Sequence, residues 1–430
     1  MGNATRRTFL VGSAAALAAS GICRAAERRP RIAALCTIYH KYSHSQHIVD
    51  RVLDGYGWEG AHHRPAMDVV SLYVDQVGDN DLSRERVSRH PETRQYPTIA
   101  DALTCGGSEL AVDGVLLIAE HGNYPFNEKG QQLYPRYEFF KQVVDVYRRT
   151  GKTAPLFNDK HLSWNWDHAK EMVETAEQMK FGFMAGSSLP VAWRHPSIDL
   201  PLGAELDEVV AMWGGGIDGG DIHVIEAMQS IVERRKGGET GVKSIRAIRG
   251  EDFFRAIEAG SWESGGCDAE LLHACYCRSH QLNPGRATYS HVLPTAHDLR
   301  RLAPKSYAYR IEYRDGLRAT VVQLQGAPKQ EGAGIVGDCN LAARVKGGEL
   351  FSLMFYLPYY SMRNFFSPLV HHIESLFLTG KPPYPIQRTL LTTGMTAAGV
   401  ESHFQQGRTV ETPHLAIPYQ PPRESTFWRS

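Results

Sequence analysis

The sequence predicts an α/β protein, with a Rossmann-like doubly wound parallel sheet followed by an α+β domain built on an open, mainly antiparallel sheet. Three observations carry that expectation. From residue 31 to about 187, short apolar runs alternate with amphipathic helical runs, the order expected of parallel strands joined by crossover helices. After Leu189 the runs alternate apolar and polar residues as half-exposed strands do, around the turn pairs Asp315-Gly316 and Gly347-Gly348. A chain of 430 residues is long enough for two domains with substantial cores. The expected division is residues 1–26 as a targeting segment, 27–187 as the Rossmann-like domain, 188–415 as the α+β domain, and 416–430 as a tail.

The start, "TRRTFLVGSAAALAASGICRAAE", pairs Arg6 and Arg7 with a small-residue apolar stretch and small residues near Ala25, the pattern of a twin-arginine export signal. Its apolar run from Phe9 to Ile22 is shorter than the roughly 20 residues a bilayer crossing requires. The expectation is therefore a periplasmic or secreted protein, exported already folded, with no stable membrane span. Lysine plus arginine equals aspartate plus glutamate, 47 each, so no net field attracts nucleic acid. Six cysteines follow the signal, Cys36, Cys105, Cys267, Cys275, Cys277 and Cys339, without zinc or disulfide-scaffold spacing. They are expected in the core or in one bridge.

Taken in order, "RIAALCTIY" reads as a buried strand, followed by a helix carrying Ile48, Val49, Val52 and Leu53. "DVVSLYVDQ" and "VDGVLLIAE" are further strands, with "TIADAL" a short helix between them. "YEFFKQVVDVYRRTGK" is a helix ending in basic residues and glycine, "TAPLFND" a strand, "NWDHAKEMVETAEQM" a helix and "KFGFMAGS" a strand. In the second half, "IRAIRG", "SYAYRIEYRDGLRATVVQLQG" and "NLAARVKGGELFSLMFYLP" supply strands and hairpins. "SPLVHHIESLFLTGK" and "TLLTTGMTAAGVESHFQQGR" are helices after them.

Four stretches in this order resemble the Gfo/Idh/MocA oxidoreductases, from about Arg31 to about Pro418. They are "VDGVLLIAEHGNYP", like the strand before the family's nicotinamide pocket; "GKTAPLFNDKHLSWNWDHAKEMVETAEQ", like its lysine-bearing segment; "DGGDIHVIEAM", like its histidine helix; and the closing "LFLTGKPPYPIQRTLLTTGMTAAGVESHFQQGRTVETP". The resemblance implies a site in the cleft between the domains, NAD or NADP as cofactor, and oxidation or reduction of a sugar or polyol carbon. It also implies oligomers formed through the C-terminal sheet.

Carried onto this chain, the resemblance makes Lys160, with Asp159 beside it, the group that polarises a substrate hydroxyl, and His223 the base that takes its proton. Asp75 ends its strand where a dinucleotide domain places the acid for the ribose hydroxyls. Matching Ser43-His44 to the family's loop puts Cys36, Ile38 and Lys41 at the three glycine positions of the phosphate turn. Nucleotide contacts would then fall to Lys41, Ser43, His44, Glu120 and His121. Tyr124, Asn127, Trp164, Asp221 and Arg194 are candidates for the sugar, whose ring hydrogens stack on aromatic faces while its hydroxyls meet polar tips.

Two further readings stand beside this one. Without a nucleotide, the same residues suit a lyase, hydrolase or isomerase, metal-assisted if Glu120, His121, His161 and His223 gather as ligands. The third reading is a periplasmic sugar-binding protein without turnover. For the redox reading, scarce free nicotinamide outside the cytoplasm implies a retained NAD(P) and hydride return within one cycle.

Overall fold

The computed structural model describes residues 28–283, 292–326, 336–358 and 363–428; the twin-arginine segment lies outside the described residues. The first domain contains β1 (Arg31–Cys36), α1 (His44–Asp54), a small hairpin of β2 (Tyr56–Trp58) and β3 (Ala61–His63), and β4 (Asp68–Val74). It continues with α2 (Ser83–Arg89), β5 (Arg94–Gln95), α3 (Ile99–Thr104), β6 (Gly114–Ile118), α4 (Arg136–Thr150), β7 (Leu156–Asp159), α5 (Trp166–Met179) and β8 (Phe183–Gly186).

The strands form one parallel sheet in the order β5-β4-β1-β6-β7-β8. β1, β6, β7 and β8 are almost wholly buried, which is why they read as continuous apolar runs rather than alternating ones. α4 covers one face through Phe139, Phe140, Val143, Val144 and Tyr147, and ends at Gly151 in the left-handed conformation that glycine tolerates best. The strand order reverses around β1, so the carboxyl ends of β1 and β6 flank a crevice suited to ligands.

The second domain contains β9 (Arg194–His195), β10 (Leu206–Trp213), α6 (Asp221–Val232), β11 (Val242–Arg249), α7 (Glu251–Ala259), α8 (Ala269–Arg278) and α9 (Ala296–Leu302). After these come β12 (Tyr307–Tyr313), β13 (Arg318–Gln323), β14 (Cys339–Val345), β15 (Leu350–Phe355), α10 (Ser367–Thr379), α11 (Ile386–Phe404) and β16 (Val410–Glu411). Its eight strands run β16-β11-β12-β13-β10-β14-β15-β9, antiparallel except for β10 beside β13. The sheet is mainly antiparallel, as expected.

It is an open sheet with edge strands β16 and β9, and its outer face carries a further layer. Residues 251–302, between β11 and β12, fold as three helices whose Phe253, Leu271, Tyr276 and Leu299 pack on Val210, Met212, Ala308 and Val322 of the sheet. The surface that the resemblance assigns to oligomers is therefore buried within the chain. Cys275 and Cys277 lie on α8, one buried and one exposed, and the six cysteines from Cys36 to Cys339 are free, so none forms the one bridge considered.

α6 is fastened on several sides, which matters because it carries His223. Arg388 of α11 grips Glu233 with bonds of 2.5 and 2.8 Å, and Thr389 donates to Glu226 at 2.7 Å. Tyr307 and Tyr309 donate to Asp221 at 2.7 and 2.8 Å, and Tyr313 donates to Gln229 at 2.9 Å. α11 also meets the first domain, where Leu162 N–H donates to Thr393 and the Thr389 hydroxyl oxygen lies 2.8 Å from Ala185 O.

Candidate functional site

Lys160 follows β7 directly, in left-handed backbone with φ 64°, and its amide is tied to Gly186 O at 3.2 Å. His121, beyond β6, has φ 68°, and Asp218, before α6, has φ 63°. Non-glycine residues adopt this conformation at a cost, so each of the three is held in it by its surroundings.

The Lys160 ammonium donates to Glu120 Oε1 at 2.6 Å, and Arg136, the first residue of α4, holds the other Glu120 oxygen. Burial alone would raise the Glu120 carboxyl, but Lys160 and Arg136 outweigh it and hold it well below the usual range. Glu120 is thus a fixed anion beside a fixed cation. Gly219 passes over the same ammonium, where an added Cβ would lie 3.5 Å from Nζ. An aspartate at this position, which the resembled family usually has, would direct its carboxylate at Lys160; here Glu120 supplies that charge from the opposite side.

His223 stands in the first turn of α6, its ring edge-on to Trp213 and its Nδ1 2.5 Å from the Ser187 hydroxyl. Ser187 orients the imidazole, a role the flanking aspartates do not take. Burial, with the nearby Lys160 charge next, pushes the His223 pKa well below its usual value, so the ring is neutral and able to accept a proton. Glu226, one turn further on, accepts the Ser187 amide at 2.6 Å, and burial raises its pKa to about 7.

Asp159 and His44 form a second pair. The Asp159 carboxylate meets His44 Nδ1 at 2.6 Å and both residues are buried. The His121 ring stands edge-on to His44 at 5.1 Å, and burial, the largest cause, lowers its pKa to about 4. His161 lies 3.5 Å from Asp218, whose other oxygen accepts from Gln131 at 3.0 Å. Lys160, Asp159, Glu120, His121, His44 and His223 thus belong to one connected constellation.

Other expected site residues are placed differently. Asp221 is fully buried, and besides the two tyrosines its oxygens accept from Gln323 and the Asp218 amide, so it anchors α6 instead of facing a sugar. Arg194 is buried against Asp199 at 2.8 Å and lies over Phe427 at 4.0 Å, which makes it a packing cation of the second domain. The Asn127 side chain closes its own loop by accepting from the Lys129 and Gln131 amides. Trp164 stands edge-on to His168 at 5.8 Å, with its carbonyl accepting from Gln131. No three of Glu120, His121, His161 and His223 offer ligand atoms within 4.8 Å of one another.

A dinucleotide on this fold would rest its pyrophosphate on the turn between β1 and α1. That turn, residues 37–43, contains no glycine, and its own groups engage it. Gln46 accepts the Tyr42 amide at 2.6 Å, Ser43 accepts the Gln46 amide at 3.2 Å, and the Ser43 amide donates to His40 O. Tyr39 turns into the core, with its hydroxyl donating to Asp50 at 2.5 Å. Lys41 lies outward over the Tyr42 ring. At the ribose end, Asp75 already accepts from Tyr73 at 2.8 Å and Tyr124 at 2.6 Å. A groove of about 360 Å³ remains beside Ile38, His40, Gln76 and Gly122. The residues present do not fit the usual seat of a pyrophosphate.

Sequence reasoning missed Arg136, Ser187 and Glu226. The spacing of Glu226 three residues after His223 places both on one face of α6 and was the available signal; nothing local marked Ser187 or Arg136.

No family model matches the sequence, and no curated protein matches it. Solved structures do match in fold. GenD2 from gentamicin A biosynthesis, in complex with NAD, aligns over 90% of this chain and 97% of its own, at 12% identity and a TM-score of 0.54. Myo-inositol dehydrogenase from Lactobacillus casei, in complex with NAD(H) and myo-inositol, aligns over 89% and 96%, at 12% identity and a TM-score of 0.52. A probable dehydrogenase from Thermotoga maritima aligns over 90% and 99%, at 10% identity and a TM-score of 0.52. The chain has the two-domain α/β fold of these proteins along nearly its whole described length.

Proposed function

We propose that the protein is an enzyme acting on a carbohydrate or polyol by redox-neutral acid–base chemistry, cleaving or isomerising it without a bound nucleotide. The observation that carries this reading is the assembled pair of Lys160 and His223 beside a phosphate turn that contains no glycine and bonds its Tyr42 and Ser43 amides locally. Neutral His223, oriented by Ser187, takes a proton from the substrate. Lys160, held by Glu120, stabilises the developing oxyanion and returns a proton to the departing or rearranged oxygen. His44 and Asp159 form a second imidazole–carboxylate pair that contacts the substrate or relays its proton.

A second reading, favoured by the fold shared with NAD-bound dehydrogenases, is a sugar or polyol oxidoreductase that retains NAD or NADP and returns the hydride within one cycle. The nucleotide would supply the hydride acceptor. Side chains such as Lys41, and not backbone amides, would have to hold its phosphates. Under either reading we propose export by the twin-arginine route.

The test begins with intact protein purified from an export-competent host, denatured and analysed by mass spectrometry for released nucleotide. Absence of nucleotide, with NMR-detected cleavage or isomerisation within a glycoside and polyol panel that Lys160→Ala and His223→Ala abolish, is the expected result. Stoichiometric NAD(P) with hydride exchange between added sugars would replace the first reading by the second. Saturable sugar binding with no turnover in either assay would make the protein a binding protein.

A further inference from the structure

Away from the cleft, one cluster offers the donor set of a metal centre. His63 ends the small hairpin of the first domain, while His371 and Glu374 stand three residues apart on one face of α10. One ligand atom from each lies within 4.8 Å of the other two, and among the described residues no other such group occurs.

The surroundings suit a bound cation. His63 Nε2 and Glu374 Oε2 are 2.7 Å apart, and the other Glu374 oxygen accepts the Ala66 amide at 2.6 Å. That second bond leaves Oε2 as the outward ligand atom and fixes the carboxylate's direction, as outer partners do at metal sites. His371 Nδ1 is shut off from solvent with no hydrogen-bond partner. The His371 ring stacks on Trp58 at 5.0 Å, and Tyr56 stands edge-on to His63 at 5.2 Å, so an aromatic wall holds both imidazoles in place. The Glu374 side chain is 7% exposed and that of His63 29%, which leaves one side open to water.

We propose that His63, His371 and Glu374 bind one divalent transition-metal ion of the zinc class, with water in the fourth position. Two imidazoles and a carboxylate are a ligand set zinc accepts, and tetrahedral ligand atoms stand about 3.3 Å apart. The cluster reaches that spacing if the His63–Glu374 contact opens slightly and His371 moves in. The ion joins the hairpin to α10 and so pins a segment of the first domain to a helix near the end of the chain. This site stands independently of the chemistry proposed for the Lys160 cleft.

The test uses the full mature chain, stripped with chelator and titrated with Zn²⁺ alone, read by calorimetry, elemental analysis and thermal unfolding. One ion per chain and a higher Tm are expected, with binding weakened at least 100-fold in both His371→Ala and His63→Ala. Co²⁺ in place of Zn²⁺ should give visible absorption of tetrahedral intensity. Wild-type chain that takes up no stoichiometric Zn²⁺, or folded His63→Ala and His371→Ala variants that bind it as wild type does, would overturn the assignment. His63 is partly exposed, so its variant keeps the test usable if His371→Ala fails to fold.

Discussion

Two parts of the first domain, at the carboxyl ends of β7 and β1 with β6 between them, have different chemical states. At β7, Lys160 sits in left-handed backbone with its ammonium on Glu120 and a neutral His223 nearby. At β1, the turn into α1 has engaged its amides with Gln46, Ser43 and His40, and Asp75 is engaged by two tyrosines. The first region sets a buried lysine–carboxylate pair beside a neutral imidazole; the second bonds its Tyr42 and Ser43 amides within the turn and the helix that follows. A fold shared with NAD-bound dehydrogenases therefore does not by itself carry over the nucleotide seat, because that seat depends on glycines and free amides in a turn that can change without disturbing the sheet.

The largest expected effect is at the strand end of β7. Lys160→Ala and His223→Ala should each lower turnover by about 10²–10⁴-fold while circular dichroism and Tm show a folded protein. Near-normal turnover in either variant would remove that residue from the chemistry. Glu120→Ala should come next, through stability: it leaves Arg136 and Lys160 buried without their shared anion, and loss of about 3–5 kcal/mol is expected in denaturant unfolding. Glu120→Gln, which keeps the shape, should lose less, and equal losses would deny the charge its role.

Acidity sharpens the same contrast. His223 and His121 have folded-state pKa values below the ordinary 6.5, so the unfolded chain binds more protons than the folded one as pH falls below that value. Their contribution is intact above pH 6.5 and is lost at about 1.4 kcal/mol per pH unit for each ring below it. Glu226 works in the opposite sense. Its raised pKa means that stability falls as pH rises from 4.5 to about 7, and Glu226→Gln should flatten that limb of the curve. Unfolding titrations at pH 5, 6 and 8 read both signs.

The smallest effects belong to the β1–α1 turn. Ser43→Ala should cost about 1 kcal/mol as a lost helix cap and leave turnover unchanged. Asp75→Asn should leave turnover unchanged as well. A large loss of activity from either would mean that the turn handles a ligand after all.

Much of the scaffold was legible because buried parallel strands and amphipathic helices have distinct periods, as in "VDGVLLIAE" and "YEFFKQVVDVYRRTGK". The missing glycines at Cys36, Ile38 and Lys41 were legible for the same reason, since glycine positions carry steric meaning. Lys160 and His223 were singled out through the family resemblance of their segments, with placement at a strand end and a helix start in support. What stayed hidden was partnership across long separations. Nothing near Asp221 announces Tyr307 and Tyr309, and nothing near Glu120 announces that Arg136 will hold it. The covering of the second sheet by residues 251–302 was missed because those helices contact strands on both sides of them in sequence, and each stretch alone reads as an ordinary surface helix.

α11 touches the backbone of the first domain at Leu162 and Ala185 while gripping Glu226 and Glu233 of α6 in the second. The lysine and histidine are therefore tied to a common frame through α11. The glycine-rich stretch before α6 is held closely as well, since an added Cβ at Gly215 or Gly220 would lie within 3 Å of neighbouring backbone. On the chemistry proposed above, the two groups would work at a fixed reach, like a tool clamped in a vice.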